Sequence, residues 1–430
     1  MYKNFNILQK LGFTEDYLNS MAVEIGFIKR VRKLNALDYL QALLLNVSKP
    51  VVSYNTMASS FIDLNKSVFK QSLHKAMNKS TFLDFIQRVF NELLHIKLDI
   101  GNNKLKLKFD RIIVQDSTVI KLPQRLFKDF SGVKNKAKQV ANARVQIALD
   151  IRSNTFNLFS VDSYSKNDLS AANELDIAKG DLIIRDRGYF RLSEIIRIKE
   201  EQADFIYRYR HSLKYCDPIT GDRIDILKLL KNKSKLEIRV QIGDQTTPIL
   251  KLFAVKVNEQ IACKRRTQLR KNTKRHTPGK ELLQLQSWTI FITSIDEEIS
   301  FEEVFDLYRL RWRIEIIFKG LKSHLNFGEI HNVSRQQLTF ILMGKMILLL
   351  LTTQFIYNTL QNKIRRKTKK ELSLLKLIRY LKDNIQIIPE LLTIQGRKYP
   401  RKIIENIIKY CSYEDRKKRI NHSQQLNILS

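Results

Sequence analysis

RIIVQDS (residues 111–117), RVQIALDI (144–151), FNLFSVDSY (156–164) and DLIIRDRGYF (181–190) are short runs rich in β-branched and apolar residues, set close together. Runs of this length and composition read as strands, and Ser193–Gln202 behind the fourth reads as a helix. Three strands in quick succession, then helix and strand, point to a mixed α/β sheet that opens with an antiparallel meander. The basic run LKLKFD (105–110) reads as a strand-like entry to it.

On the N-terminal side, up to about residue 100, the pattern is helical, with apolar residues three and four apart in LDYLQALLLNV, SVFKQSLHKAM and TFLDFIQRVFNELL. Tyr54–Ile62 and Lys66–Met77 have the proportions of a helix-turn-helix whose second helix turns Lys66, Lys70, Gln71, His74 and Lys75 outward. Short helix pairs with a basic outer face also occur without that role. On the C-terminal side a second β-rich tract follows, with DFIYRYR (204–210), LEIRVQI (236–242), LKLFAVKV (250–257) and SWTIFITS (287–294). Between its last two strands lies KRRTQLRKNTKRHTPGK (264–280), read as a loop holding eight Lys and Arg and no acid. Helices return at Phe301 and continue almost to the end, with a second basic cluster, KIRRKTKK, at 363–370. The most apolar segment, Leu338–Tyr357, is interrupted by Lys345, Thr352, Thr353 and Gln354, so it reads as a core helix and not as a membrane span.

The chain has 430 residues, 43% of them hydrophobic, enough for real cores and for about three domains. Lys and Arg number 76 against 43 Asp and Glu, a net charge of +33. Such an excess asks for a polyanionic partner, nucleic acid before membrane. Cys216, Cys263 and Cys411 lie far apart with no C-x-x-C, which indicates neither a disulfide framework nor a zinc site. With no apolar leader in MYKNFNILQK, the expected compartment is the cytoplasm.

Three acids stand out by position. Asp116 ends the run RIIVQ and Asp186 ends DLIIR, and carboxylates at strand ends can converge on one rim of a sheet. Strands also commonly end in polar turn residues, so each Asp alone carries little. The expected helix from 301 to 325 carries Tyr308, Arg311, Glu315 and Lys322. At about 100° per residue they fall in one stripe about 60° wide, bordering the apolar face of Leu310, Ile314, Ile317, Leu321 and Leu325. Glu315 thus points at the edge of the core beside cations, although a plain i,i+4 Arg–Glu pair gives the same pattern.

D-S-T at Asp116–Thr118, D-R-G-Y-F at Asp186–Phe190 and Y-x2-R-x3-E-x6-K at Tyr308–Lys322 together resemble the DDE transposases of bacterial insertion sequences, in the IS-four-type group. The resemblance covers about residues 100 to 340. It implies a ribonuclease-H-like catalytic core interrupted by a β-rich insertion domain, with helical N-terminal and C-terminal regions. The regions expected are a helical DNA-binding region at 1–100 with its helix-turn-helix candidate at 54–77, core at 105–203, insertion at 204–294, core at 295–345, and a helical remainder at 346–430. The implied catalytic and metal-holding triad is Asp116, Asp186 and Glu315, with two Mg2+ or Mn2+ ions. Three carboxylates and few His suit those hard ions better than zinc.

The same resemblance assigns Tyr308, Arg311 and Lys322 to DNA phosphates, Trp288 to stacking on a flipped base and Arg208 to a place near that base. Each has a plainer reading: a sheet-packing Trp, an exposed strand Arg. Trp312 reads as a packing residue. The basic segment, with Lys264, Arg265, Arg266, Arg270, Lys271, Lys274 and Arg275, is expected to follow the DNA backbone. The implied activity is cut-and-paste transposition: end nicking, hairpin opening and strand transfer. The partners are double-stranded DNA, as the element's terminal inverted repeats and the target, and a second copy of the chain in a synaptic complex, with no membrane. The competing expectation is a catalytically inactive or domesticated sequence-specific DNA-binding protein.

Overall fold

The computed structural model describes residues 11–62, 66–96, 109–132, 139–165, 173–244, 247–273, 277–328, 330–368, 370–387 and 401–414. Most of the LKLKFD entry lies outside these.

Among the described residues five N-terminal helices come first: α1 (Glu15–Glu24), α2 (Ala36–Asn46), α3 (Tyr54–Ser60), α4 (Lys70–Met77) and α5 (Ser80–His95). The long α5 has no side-chain cap, but it buries Phe82, Phe85, Ile86, Val89, Phe90 and Leu93 at three- and four-residue spacing. At about 1.5–3 kcal/mol for each such side chain, that face outweighs the missing cap. The second helix of the α3–α4 pair starts at Lys70, not Lys66. Lys66 instead binds Asp38 at 2.5 Å, which removes it from the outward basic face; Lys70, Gln71, His74 and Lys75 remain exposed.

Among the described residues nine strands form one sheet in the order β3-β2-β1-β4-β5-β9-β8-β7-β6. They are β1 (Arg111–Leu122), β2 (Ala141–Asp150), β3 (Thr155–Ser163), β4 (Asp181–Arg185), β5 (Asp204–Arg208), β6 (Tyr215–Cys216), β7 (Lys235–Ile242), β8 (Leu250–Lys256) and β9 (Trp288–Thr293). The meander β1-β2-β3 is antiparallel, and β4 and β5 run parallel to β1. An order of 3-2-1-4-5 with β2 alone reversed is the ribonuclease-H-like arrangement, so the mixed α/β fold class stands. Ile112, Ile113 and Val114 are all fully buried, Ile112 and Val114 on one face and Ile113 on the other. Cover on both faces is why this strand reads as an unbroken apolar run and not as an alternation.

The sheet does not stop at residue 204, where the sequence reading begins the insertion. β5 pairs parallel with β4, and β9 returns antiparallel to β5. An uncovered β5 would be an open edge of fully buried Phe205, Ile206 and Tyr207, and β9 closes it. The helices that follow β4 are α6 (Leu192–Glu200), then α7 (Ile226–Leu230), α8 (Glu259–Asn272) and α9 (Lys280–Leu285) among the inserted strands.

Beyond β9 come α10 (Phe301–Arg309), α11 (Trp312–Ser323), α12 (Arg335–Leu350), a π-helical turn at Leu351–Tyr357, α13 (Asn358–Thr368), α14 (Leu374–Asp383) and α15 (Arg401–Cys411). α10 opens with a reciprocal capping box between Ser300 and Glu303. The expected single helix over 301–325 is interrupted: Leu310 and Arg311 form a tight turn, with Arg313 N bonded to Leu310 O and Ile314 N to Arg311 O. The stretch Arg335–Asn362 is long and apolar enough to cross a membrane by length and composition, and 94% of its most apolar window is buried inside the protein. It packs against α5 and β3 as the central core helix. Lys345 within it is buried and donates to the carbonyls of Leu325 and Asn326 at 2.6 and 3.0 Å, fixing the chain that leaves α11.

Candidate active site

β1 and β4 run side by side from Arg111 opposite Asp181 to Gln115 opposite Arg185. Asp116 and Asp186 are the next residue on each chain, so the two carboxylates leave the parallel pair at the same rim. Asp116 is not a strand end: β1 continues to Leu122 on its other partner, β2. What ends at Gln115 is the pairing with β4, and the divergence of the two strands opens the space Asp116 faces.

Asp186 begins a short turn, Arg187–Tyr189, anchored by buried neighbours. Arg185, fully buried, binds Glu194 at 2.6 Å and the Tyr207 hydroxyl at 3.3 Å. The Tyr189 hydroxyl donates to Gln146 at 2.8 Å, and Phe190 stacks on Tyr207 with ring centroids 5.0 Å apart. The Y-F of D-R-G-Y-F thus packs beneath the turn and holds Asp186 at the rim.

The third carboxylate arrives on α11, which packs on β1. Arg311, in the tight turn before it, joins the two elements: Nη1 donates to Asp116 Oδ2 at 2.8 Å and Nη2 to Glu315 Oε1 at 2.5 Å. Burial raises the Asp116 carboxyl to about 6; the Ser117 N–H and Arg311 pull it back only in part, and Asp186 and Glu315 push it further up. Burial also opposes the charge on Arg311, but Tyr308, Asp116, Glu315 and Asp186 together hold its pKa above the usual value. The ion pair therefore favours charge on both partners, and on Asp116 desolvation outweighs it.

Tyr308 is 5% exposed and its hydroxyl has no hydrogen-bond partner. Its ring is in cation–π range of two guanidiniums, Arg208 at 5.4 Å and Arg311 at 5.8 Å from the centroid. Burial, then Asp186, raises its hydroxyl to about 12, so it stays protonated. Lys322, two turns beyond Glu315, is exposed, and desolvation of part of its length lowers its pKa. Trp312 corrects the packing expectation: it is 64% exposed at the start of α11, directly after Arg311.

Trp288 and Arg208 share a cleft of about 170 Å³, lined also by Arg187, His211 and Arg265. Arg208 connects this cleft to the carboxylates through Tyr308. Arg265 donates to the Trp288 carbonyl at 3.0 Å and to Thr289 Oγ1 at 3.1 Å. Burial and then Arg208 lower its pKa. These arginines have no carboxylate partner among the described residues, so the cleft is cationic with an aromatic wall.

The basic segment 264–280 is not a loop over its first half. Lys264, Arg265, Arg266, Arg270 and Lys271 lie on α8, which Asn258 caps by accepting from Ile261 N at 2.9 Å. An Asn followed by Glu259 is a readable helix start. The helix disperses the like charges around its surface, which answers their mutual repulsion. Arg265 turns into the cleft, Arg266 binds Ser287 at 2.9 Å and Glu259, and Lys264, Arg270 and Lys271 remain exposed. Lys274, Arg275 and most side chains of the 363–370 cluster lie outside the description.

Among the described residues no three Asp, Glu, His or Cys side chains converge closely enough to hold a metal ion. The donor chemistry nonetheless suits a hard divalent cation, with carboxylate oxygens and no thiolate or imidazole among Asp116, Asp186 and Glu315. The cation that two of them bind here is the Arg311 guanidinium.

Residues 107–351 match the family model described as the transposase DDE domain. The transposase for insertion sequence element IS231F of Bacillus thuringiensis subsp. israelensis is 26% identical over 94% of this chain and 90% of its own length. That for IS1151 of Clostridium perfringens is 26% identical over 93% and 90%. The piggyBac transposase synaptic complex with hairpin DNA aligns with 98% of this chain and 88% of its own, at 12% identity and a TM-score of 0.48.

Proposed function

The chain belongs to the DDE transposase family of insertion sequences, enzymes that cleave DNA and transfer its strands, and from that premise we propose that Asp116, Asp186 and Glu315 form its catalytic triad in cut-and-paste transposition. The observation that carries the assignment is Arg311 joining Asp116 to Glu315, with Asp186 leaving β4 where Asp116 leaves the same strand pair and near enough for its charge to act on Asp116, across 70 and 129 residues of chain. Members of the family depend on divalent metal, and here those carboxylates would hold two Mg2+ or Mn2+ ions. Bound there, the ions would lower the pKa of an attacking water or 3′-hydroxyl and stabilise the leaving oxygen.

The other residues act on the nucleic acid. Arg311 and Lys322 bind phosphate oxygens of the cleaved strand, and Tyr308, a protonated hydroxyl lacking an acceptor, donates to one. Trp288 stacks on a base turned out of the duplex, with Arg208 and Arg187 at the cleft wall, so that the second strand opens through a hairpin. Lys264, Arg270 and Lys271 follow the backbone, α3 and α4 engage the element's terminal inverted repeats, and two copies of the chain pair the two ends in a synaptic complex. The work is done on DNA in the cytoplasm.

Labelled DNA bearing the element's ends, incubated with magnesium and either wild type or Glu315→Ala, tests the assignment. Wild type should nick and transfer strands, while the variant should bind DNA and leave it uncut. Equal cleavage by both removes Glu315 from the site. Binding without cleavage by wild type itself supports the domesticated DNA-binding protein. Trp288→Ala should slow hairpin formation by roughly tenfold or more, the weight of one base stack, with first-strand nicking unchanged. An unchanged hairpin rate returns Trp288 to a packing role.

A further inference from the structure

Arg311 does more in this conformation than stand ready for a phosphate. Its two terminal nitrogens occupy Asp116 Oδ2 at 2.8 Å and Glu315 Oε1 at 2.5 Å. On the reading of the triad given above, these are oxygens that a divalent ion has to use. Both bonds are charge-assisted and short, the strong class of hydrogen bond. A guanidinium does not leave by losing its proton, so it vacates the carboxylates only by moving.

Moving has a cost set by the surroundings. The Arg311 side chain is 19% exposed, and its Nε is buried without a partner. Arg208, a like charge, lies 5.4 Å from the centre of the same Tyr308 ring that Arg311 approaches to 5.8 Å. Stripped of both carboxylates, Arg311 becomes a largely enclosed cation beside another cation, the situation that makes breaking an enclosed ion pair expensive. A divalent ion arriving alone has to meet that cost from its own binding energy. A DNA phosphate changes the balance, because its oxygens offer the guanidinium a bidentate replacement for the carboxylates.

We propose that Arg311 gates the metal site: in the DNA-free protein it holds Asp116 and Glu315 against divalent ions, and the phosphate that takes over its guanidinium opens the site. DNA then binds before metal, and the two bindings strengthen each other by the same factor, as linkage requires. The consequence is an enzyme that carries no loaded hydrolytic centre until a strand is seated in it.

The test is a titration with Mn2+, free ion being read by electron paramagnetic resonance, with and without the element-end duplex. Asp116→Asn with and without the same duplex is the blank for ions bound elsewhere. Arg311→Gln without DNA should bind Mn2+ about tenfold more tightly than wild type, and wild type should gain a similar factor on adding DNA. The gain from DNA should largely disappear in Arg311→Gln. If, with the duplex present, Asp116→Asn and Glu315→Gln bind Mn2+ as wild type does, the metal reading of the triad falls. If those two lose the ion while Arg311→Gln binds it no more tightly and DNA adds nothing to wild type, the triad stands and the gate is overturned. Should Arg311→Gln fail to fold, the wild-type titrations decide, since equal Mn2+ affinity with and without DNA overturns the gate by itself.

Discussion

Asp116 titrates near 6 because burial penalises its charge more than the Ser117 N–H and Arg311 favour it. A carboxyl that binds its proton more tightly in the folded than in the unfolded chain adds stability that is complete below about pH 4 and lost as pH rises through 6. Metal-free Asp116→Asn escapes that loss. It should be more stable than wild type at pH 7 by on the order of 2–3 kcal/mol, a gap in urea midpoints that closes toward pH 4; equal midpoints at pH 7 would show that the carboxylate is not strained by its burial. Tyr308 yields the complementary case. Its hydroxyl is enclosed, protonated and without a partner. Tyr308→Phe should leave the unfolding free energy of the metal-free protein unchanged or raised by up to about 1 kcal/mol, read by thermal or urea unfolding, and slow DNA cleavage roughly tenfold or more, the weight of one hydrogen bond to a charged acceptor. A variant that cleaves at the wild-type rate would leave the hydroxyl without a role. Both residues are legible in sequence because their motifs are local and tightly spaced. Arg187 is not, since a single arginine looks like any surface cation until the strand bearing Trp288 folds back beside it, and Arg265, legible as one cation of a basic run, shows its turn into the cleft only in the folded chain.

At the scale of elements, the periodicity of 301–325 reads as one helix, and the turn at Leu310–Arg311 is invisible to it. Two residues of tighter winding shift the phase by only about 40°, less than the width of the apolar face. Yet that turn sends the Arg311 fork to Asp116 while its own α11 carries Glu315. The basic segment shows the opposite failure: its charge invites a loop reading, and the Asn258 cap that starts α8 is outweighed by it. The helix sorts the charges, and the sorting is measurable. Replacing Lys264, Arg270 and Lys271 with Gln should flatten the slope of log affinity against log salt by up to about 2.7, at roughly 0.9 per phosphate contact. Arg266→Gln should leave it unchanged, because that guanidinium is spent on Glu259 and Ser287. Anisotropy titrations of duplex DNA across salt concentrations separate the two, and equal slopes for all variants would move the backbone contacts elsewhere.

At the scale of the whole molecule, the strand pattern discloses the meander and the strand at 181–185, but not that β5, read as the start of the insertion, continues the sheet parallel to β4, nor how the rest of the second β tract joins it. Sequence shows strands and their composition; which edge pairs with which is decided by burial that only the folded chain defines. β9 pairs with β5 through Ile206 opposite Thr293, Tyr207 opposite Ile292 and Arg208 opposite Phe291. On the face where Ile113, Ile183, Phe205 and Tyr207 are buried, Val240, Leu252, Ala254 and Ile292 continue the same apolar cluster. A tract that shares both a sheet and a core with its host has no core to itself. The fragment 204–294 expressed alone should therefore show no cooperative melting transition by circular dichroism. The intact protein should lose amide protection in β4 and in β8 with the same opening free energy, as one cooperative unit does. Removing β6 to β9 and bridging the gap should expose the edge of β5, with Phe205, Ile206 and Tyr207 uncovered, and give aggregation in place of a smaller soluble core. A fragment that melts cooperatively, or strands β4 and β8 that open at different free energies, would make the tract an independent domain attached at β5. In that case the cleft holding Trp288 would move relative to the carboxylates, instead of being fixed to them by the continuous sheet.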